Sequence, residues 1–174
     1  MVSRSAGKEV IQVSAVETRL HARGLFLPDE VRLPPDVTAP FQWARVHDTR
    51  VIASGHGALN PDGSLRGPFG SVPGEVPLDQ AQESAQGALL ALLASVRRAV
   101  GDLDRVTWLS MTGFVNADRS FPLTTLVLNP ASELVLELFG PAAGAHARVA
   151  PGVCALPQDL PVIIAAELEL RSPG

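Results

Sequence analysis

Tyrosine is absent from this chain of 174 residues, and cysteine occurs once, at Cys154. A single cysteine excludes an intrachain disulfide and any site built from cysteines alone, and it sets a cytoplasmic setting as the expectation. Charge is scarce as well: Asp, Glu, Lys and Arg supply 18% of the residues against 46% hydrophobic ones. That is little charge for a soluble monomer, so some apolar surface is expected to be covered between subunits. Basic clusters are missing. The net charge is -4, and the one adjacent basic pair, Arg97-Arg98, falls near a helix C-terminus, where cations are favoured anyway. This disfavours nucleic acid as a partner. No run approaches the roughly 20 apolar residues of a membrane helix. Residues 1–16 mix Arg4, Lys8 and Glu9 with short apolar pairs and lack the apolar segment of a secretory leader. There is no Gly-x-x-x-x-Gly-Lys phosphate loop and no dinucleotide fingerprint. The four histidines, His21, His47, His56 and His146, lack metal-ligand spacing, so neither a metal nor an organic cofactor is expected.

What is present reads as one α/β (α+β) domain over residues 17–174, behind a frayed extension at 1–16. Residues 17–27 suit a short helix or turn, and Pro28, Pro34, Pro35 and Pro40 then hold an extended connection. Residues 41–46 and 50–54 read as strands joined by a turn at His47-Asp48-Thr49. The clearest helix spans 79–100, with Asp79 as its cap, Gln82 in a capping-box position and Gly101 as its stop. A strand over 106–115 and a second helical region over 122–139, ended by Gly140-Pro141, follow. Two closing strands are expected at 147–155 and 162–170. The economical packing of this order is a mixed sheet with two helices on one face.

One stretch carries chemistry. Residues 144–157 are small and apolar except for His146 and Arg148. Charge is excluded from such a run unless it is paired or binds something. A guanidinium between apolar walls suits a substrate carboxylate, because its fork makes two parallel charge-assisted hydrogen bonds. The competing reading is a structural ion pair with an Asp or Glu from elsewhere, and the segment alone leaves both open. His146 shares a face with Arg148 if both lie in the strand; otherwise it precedes the strand and is solvated. Ser54-Gly55-His56 lacks the Gly-x-Ser-x-Gly elbow of a nucleophile and reads as backbone positioning. Cys154 reads as a small core residue.

Taken in order, Gly101-Asp-Leu-Asp-Arg-Val106, Gly113-Phe-Val-Asn116, Asn129-Pro-Ala-Ser132, Leu138-Phe-Gly140, His146-Ala-Arg148 and Leu156-Pro157 resemble the Rid/YjgF family of reactive imine and enamine deaminases. The resemblance covers about residues 17–170 and is closest to a bacterial branch with the Gly-Phe-Val-Asn and His-Ala-Arg signatures. It implies a chorismate-mutase-like fold, a homotrimer with ligand clefts between subunits, and hydrolysis of 2-imino acids to 2-keto acids and ammonia. It further implies that Arg148 grips the substrate carboxylate, with Phe41, Ser54, Gly55, Asn129 and His146 lining the cleft.

Three positions depart from the family pattern. Phe41 stands where the family usually has tyrosine. Ala150 stands two after the arginine, and Pro151 behind it removes an amide from the strand. Ala165 stands where the family usually places a water-positioning glutamate. Glu167 lies two residues on and shares that face of a regular strand; it substitutes only if a bulge moves it about 6–7 Å. Imine hydrolysis asks little more than orientation, a water and one aimed hydrogen bond. The competitors are a tailoring activity on a larger metabolite (cyclisation, dehydration or hydrolysis) in a reshaped cleft, and a trimeric small-molecule binder that kept Arg148 and lost turnover. Some relatives are described as ribonucleases, which the acidic charge disfavours here.

Overall fold

The structure, a computed structural model, describes residues 14–171. Its elements in chain order are α1 (Ala15–Ala22), β1 (Ala44–His47), β2 (Arg50–His56), α2 (Leu78–Val100), β3 (Val106–Asn116), α3 (Thr124–Ala143), β4 (Ala147–Val149), β5 (Gly152–Val153) and β6 (Val162–Leu170). The sheet order is β1-β2-β6-β3-β4, with β5 also on β3. Pairing is antiparallel from β1 through β6 to β3 and parallel between β3 and both β4 and β5. This is the expected mixed sheet.

Alternation in the strands decides which face is covered. Val162, Ile164, Ala166 and Leu168 of β6 are buried, as are Val51 and Ala53 of β2 and Trp108, Met111 and Val115 of β3. These side chains form one core with Ala81, Ala85, Leu89, Leu92 and Val96 of α2 and with Val127, Leu128, Leu134, Val135 and Leu138 of α3. Among the described residues no helix covers the opposite face, and Ile52 and Val149 are exposed there. At Gly113 the side chains of α3 come close against the sheet: a Cβ on it would meet Leu128 Cδ1 at 2.1 Å.

Several expected boundaries shift for physical reasons. The extension expected at 1–16 falls outside the described residues up to 13, whereas Ser14 caps α1 and Val16 is buried. Ser14 Oγ accepts from Glu17 N at 3.1 Å, and the Asp104 carboxylate, far along the chain, accepts from Ala15 N and Val16 N at 2.6 and 2.9 Å. Phe41 lies outside β1, which starts at Ala44. Asp79 is not the cap of α2: Pro77 holds that position without a side-chain bond, and Asp79 sits in the first turn, where its charge favours the helix N-terminus. Gly101, at φ 81°, is the stop expected. Gly140 breaks α3 as expected, at φ 76° and ψ 172°, and one more turn follows it. The strand expected at 147–155 is two short pieces, because Pro151 cannot donate to the ladder; its carbonyl accepts from Val115 N at 3.0 Å instead.

Pro130 lies inside α3. A proline there leaves the carbonyl four residues earlier without its helical donor. That carbonyl belongs to Leu126, and Gln82 Nε2 of α2 donates to it at 2.9 Å. Gln82, expected in a capping box, thus fastens α2 to α3.

Candidate active site

Thr125, Asn129 and Ser132 recur at i, i+4 and i+7, so they form one stripe of α3. Arg148 of β4 reaches that stripe. Its Nη1 donates to Ser132 Oγ at 3.0 Å, and its Nη2 donates to Asn129 Oδ1 at 2.9 Å and to the Thr125 carbonyl at 3.4 Å. All three acceptors are uncharged. Among the described residues no carboxylate pairs with Arg148, although four other arginines do pair with carboxylates, Arg50 with Glu167 among them. Nε makes no hydrogen bond among the described residues and remains able to donate.

His146 precedes β4, yet it is half-buried rather than solvated. Its Nδ1 lies 2.7 Å from the Gly144 carbonyl and its Nε2 3.0 Å from Ser132 Oγ. Its ring packs against Trp108 at 5.7 Å between centroids. His146 and Arg148 therefore meet on the same serine. Ala150 follows β4 and packs against the core.

The remaining expected residues gather elsewhere. Directly opposed residues share a face of a sheet. Arg148 opposes Met111, which opposes Ala166, so it belongs to the helix-covered face. Ala165 opposes Thr112 and Glu167 opposes Ser110, one residue out of step and therefore on the open face. Glu167 does share that face with Ala165. β6 runs Val162–Leu170 without a break, and the irregularity lies between Trp108 and Ser110 of β3, so no bulge in β6 carries Glu167 toward Ala165. Arg50 holds Glu167 instead, at 2.9 Å.

Ser54 and Gly55 sit in an irregularity of β2 between Ala53 and His56, where pairing skips Ala165. Ser54 Oγ donates to the Gln42 carbonyl at 2.8 Å, and a Cβ on Gly55 would meet Ile163 Cγ2 at 2.7 Å, so both serve to shape the backbone. Phe41 is half exposed and packs edge-on against Trp43 at 5.0 Å, which packs on His56 at 5.2 Å. Behind them lies an apolar cavity of about 210 Å³, lined by Leu33, Phe41, Trp43, Gly55, Leu160 and Ile163 among others. His56 is buried, and burial pushes its pKa down to about 4. Its Nδ1 lies 2.6 Å from the Ser54 carbonyl and its Nε2 2.8 Å from Ser95 Oγ. Sequence reasoning gave His56 only a backbone role. Regular alternation would place His56 on the face opposite Val51 and Ala53; the irregularity of β2 between Ala53 and His56 turns it inward, and no local pattern signals that.

Cys154 corrects another expectation. It is exposed, on a polar cleft of about 840 Å³ shared with Asn116, Asp118 and Asp159, and is not a core residue. Among the described residues no group of three or more His, Cys, Asp or Glu could hold a metal ion, and no helix is long and apolar enough to cross a membrane.

No family model matches the chain. Protein TCP17 of Trypanosoma cruzi is 36% identical over 104 residues, covering 59% of this chain and 65% of that relative, so the match spans less than two thirds of the relative's length. A solved Agrobacterium tumefaciens protein of unknown function is 28% identical with a TM-score of 0.79, covering 91% of this chain and 93% of its own. A Shewanella oneidensis structure described as a candidate endoribonuclease is 26% identical with a TM-score of 0.80, covering 89% and 99%. The YjgF gene product of E. coli, 18% identical with a TM-score of 0.56 over 83% and 98%, shares the fold. The resemblance first carried by the motifs thus extends to the three-dimensional structure, and the chain has the chorismate-mutase-like fold of the Rid/YjgF family.

Proposed function

We propose that the protein hydrolyses 2-imino or enamine acids to 2-keto acids and ammonia, with Arg148 gripping the carboxylate. One observation carries this reading. Arg148 is half-buried, fixed by neutral oxygens from one helix stripe, and has no carboxylate partner among the described residues. A fixed and uncompensated cation of this kind favours an anionic ligand. The Nε–H and the edge bearing the long Thr125 bond are where a carboxylate would enter.

Arg148 and Glu167 lie on opposite faces of one sheet, so a site that uses both needs two copies of the chain. Exposed Ile52 and Val149 on the helix-free face support self-association, and a homotrimer in a cytoplasmic setting is part of this proposal. In such a cleft Arg148 of one copy would orient the imine. Phe41, Ala165 and Glu167 of another would flank it and the attacking water. Water adds to the imine carbon, giving a carbinolamine; loss of ammonia then leaves the keto acid. No redox partner is needed.

A second reading, a tailoring step on a larger metabolite, is favoured by the cavity of about 210 Å³ beside Phe41, which exceeds the needs of a three-carbon acid. The test is keto-acid release from 2-iminopropionate, generated in situ from alanine by an amino-acid oxidase. Wild-type acceleration that Arg148→Ala abolishes supports deamination. Carboxylate binding without acceleration turns the reading toward a binder, or toward the larger substrate.

A further inference from the structure

We propose that Ser132 is a positioning residue for Arg148 and that His146, rather than contacting substrate, orients Ser132; this rests on the carboxylate-grip reading above. Donor and acceptor chemistry fixes the direction of the chain. The Gly144 carbonyl can only accept, so His146 Nδ1, 2.7 Å away, carries the ring hydrogen. In the neutral ring Nε2 is then an acceptor. A guanidinium can only donate, so Ser132 Oγ accepts from Arg148 Nη1 at 3.0 Å. The serine's own hydrogen is left for His146 Nε2 at 3.0 Å. The alternative acceptor, Met111 Sδ, is 3.9 Å away and weak.

Each link therefore has one polarity: Arg148 to Ser132, Ser132 to His146, His146 to Gly144. A hydroxyl free to rotate would hold the arginine loosely. One whose hydrogen is claimed by a ring nitrogen keeps a lone pair aimed at Nη1. The ring is in turn held by Trp108 at 5.7 Å and by the backbone. Asn129 holds Nη2 from the next turn of α3, so the guanidinium plane is fixed at two corners. Bidentate recognition depends on that plane, because a carboxylate meets two parallel N–H bonds only in one orientation.

The experiment compares wild type, Ser132→Ala, Ser132→Thr and His146→Phe by three readouts: keto-acid release from 2-iminopropionate, pyruvate binding by calorimetry, and the NMR signals of the Arg148 guanidinium. Ser132→Ala is expected to raise KM and the pyruvate Kd by about tenfold, the loss of one charge-assisted hydrogen bond, with kcat within about threefold. Ser132→Thr should restore both, since it returns the hydroxyl. His146→Phe should act in the same direction, and combining it with Ser132→Ala should add little. In wild type the Nη signals should be resolved by slow rotation about Nε–Cζ, and in Ser132→Ala they should merge. Merged signals already in wild type, or an unchanged guanidinium spectrum in Ser132→Ala, overturn the positioning role. Resolved signals lost in Ser132→Ala, in a protein that neither turns over the imine nor binds pyruvate, leave the positioning intact and sink the deaminase reading alone.

Discussion

Arg148 and Glu167 stand in adjacent rows of one sheet and point away from each other, Arg148 toward α3 and Glu167 to the helix-free side beside Arg50. One chain therefore holds Arg148, the proposed anion grip, and Glu167 on opposite faces.

That separation predicts complementation between inactive variants. Arg148→Ala and Glu167→Gln should each lose imine hydrolysis when assayed alone. Dissociated, mixed and reassembled, they should recover part of it, because some mixed clefts receive an intact Arg148 from one copy and an intact Glu167 from the other. Full activity of Glu167→Gln on its own would remove Glu167 from the mechanism. Failure to recover after verified mixing would argue against a shared cleft.

Arg148→Ala should leave the melting temperature close to wild type, since no charge is orphaned by the change. Carboxylate binding should weaken by roughly 2–5 kcal/mol. Arg148→Lys should not rescue it, because one ammonium cannot hold Ser132 and Asn129 while offering a planar fork. Denaturant titration alongside calorimetry separates the two effects; an unfolded Arg148→Ala would restore the structural ion-pair reading.

His56 predicts an acid limb in the stability profile. Burial lowers its pKa from 6.5 to about 4, so the unfolded chain binds the extra proton first as pH falls. Stability is then full above about pH 6.5 and is lost progressively down to about pH 4, by an amount on the order of 3 kcal/mol. His56→Gln should flatten this part of the curve in urea unfolding series. A wild-type curve already flat between those values would show that the histidine is not held neutral.

Gly113→Ala should destabilise the fold by about 1–3 kcal/mol through overpacking. The new methyl would press on Leu128, whose side chain is fully buried and cannot swing out. Unfolding midpoints for Gly113→Ala and the double variant Gly113→Ala/Leu128→Ala check this. If α3 and β3 do meet there, the truncated leucine should relieve part of the strain.

Much of this architecture was legible in the chain itself. β6 has the bounds expected because an apolar run passes into Glu167 and Glu169 alternating with Leu168 and Leu170, and α2 differs by one residue because its apolar stripe is long. Legibility failed where the deciding partner is remote. Asp79 looks like a cap locally, yet Pro77 occupies that place. Ser14 does cap, with Asp104 assisting from a distant turn that no local pattern reveals. Arg148 could be singled out from its apolar surroundings, but whether a carboxylate meets it depended on the register of β4 against β3. Ser132 was visible only as part of a motif. Cys154 sits among apolar neighbours in sequence, yet it lies just past β5, which ends at Val153, and is exposed.

The missing amide hydrogen of Pro130 has a mechanical consequence. Gln82 clamps the freed Leu126 carbonyl on the same turns of α3 that carry Thr125, Asn129 and Ser132. Any roll of α3 about its long axis would drag those three oxygens off the guanidinium together. A glutamine on the other helix opposes that roll, so the aim of the arginine depends in part on a contact made across the helix seam.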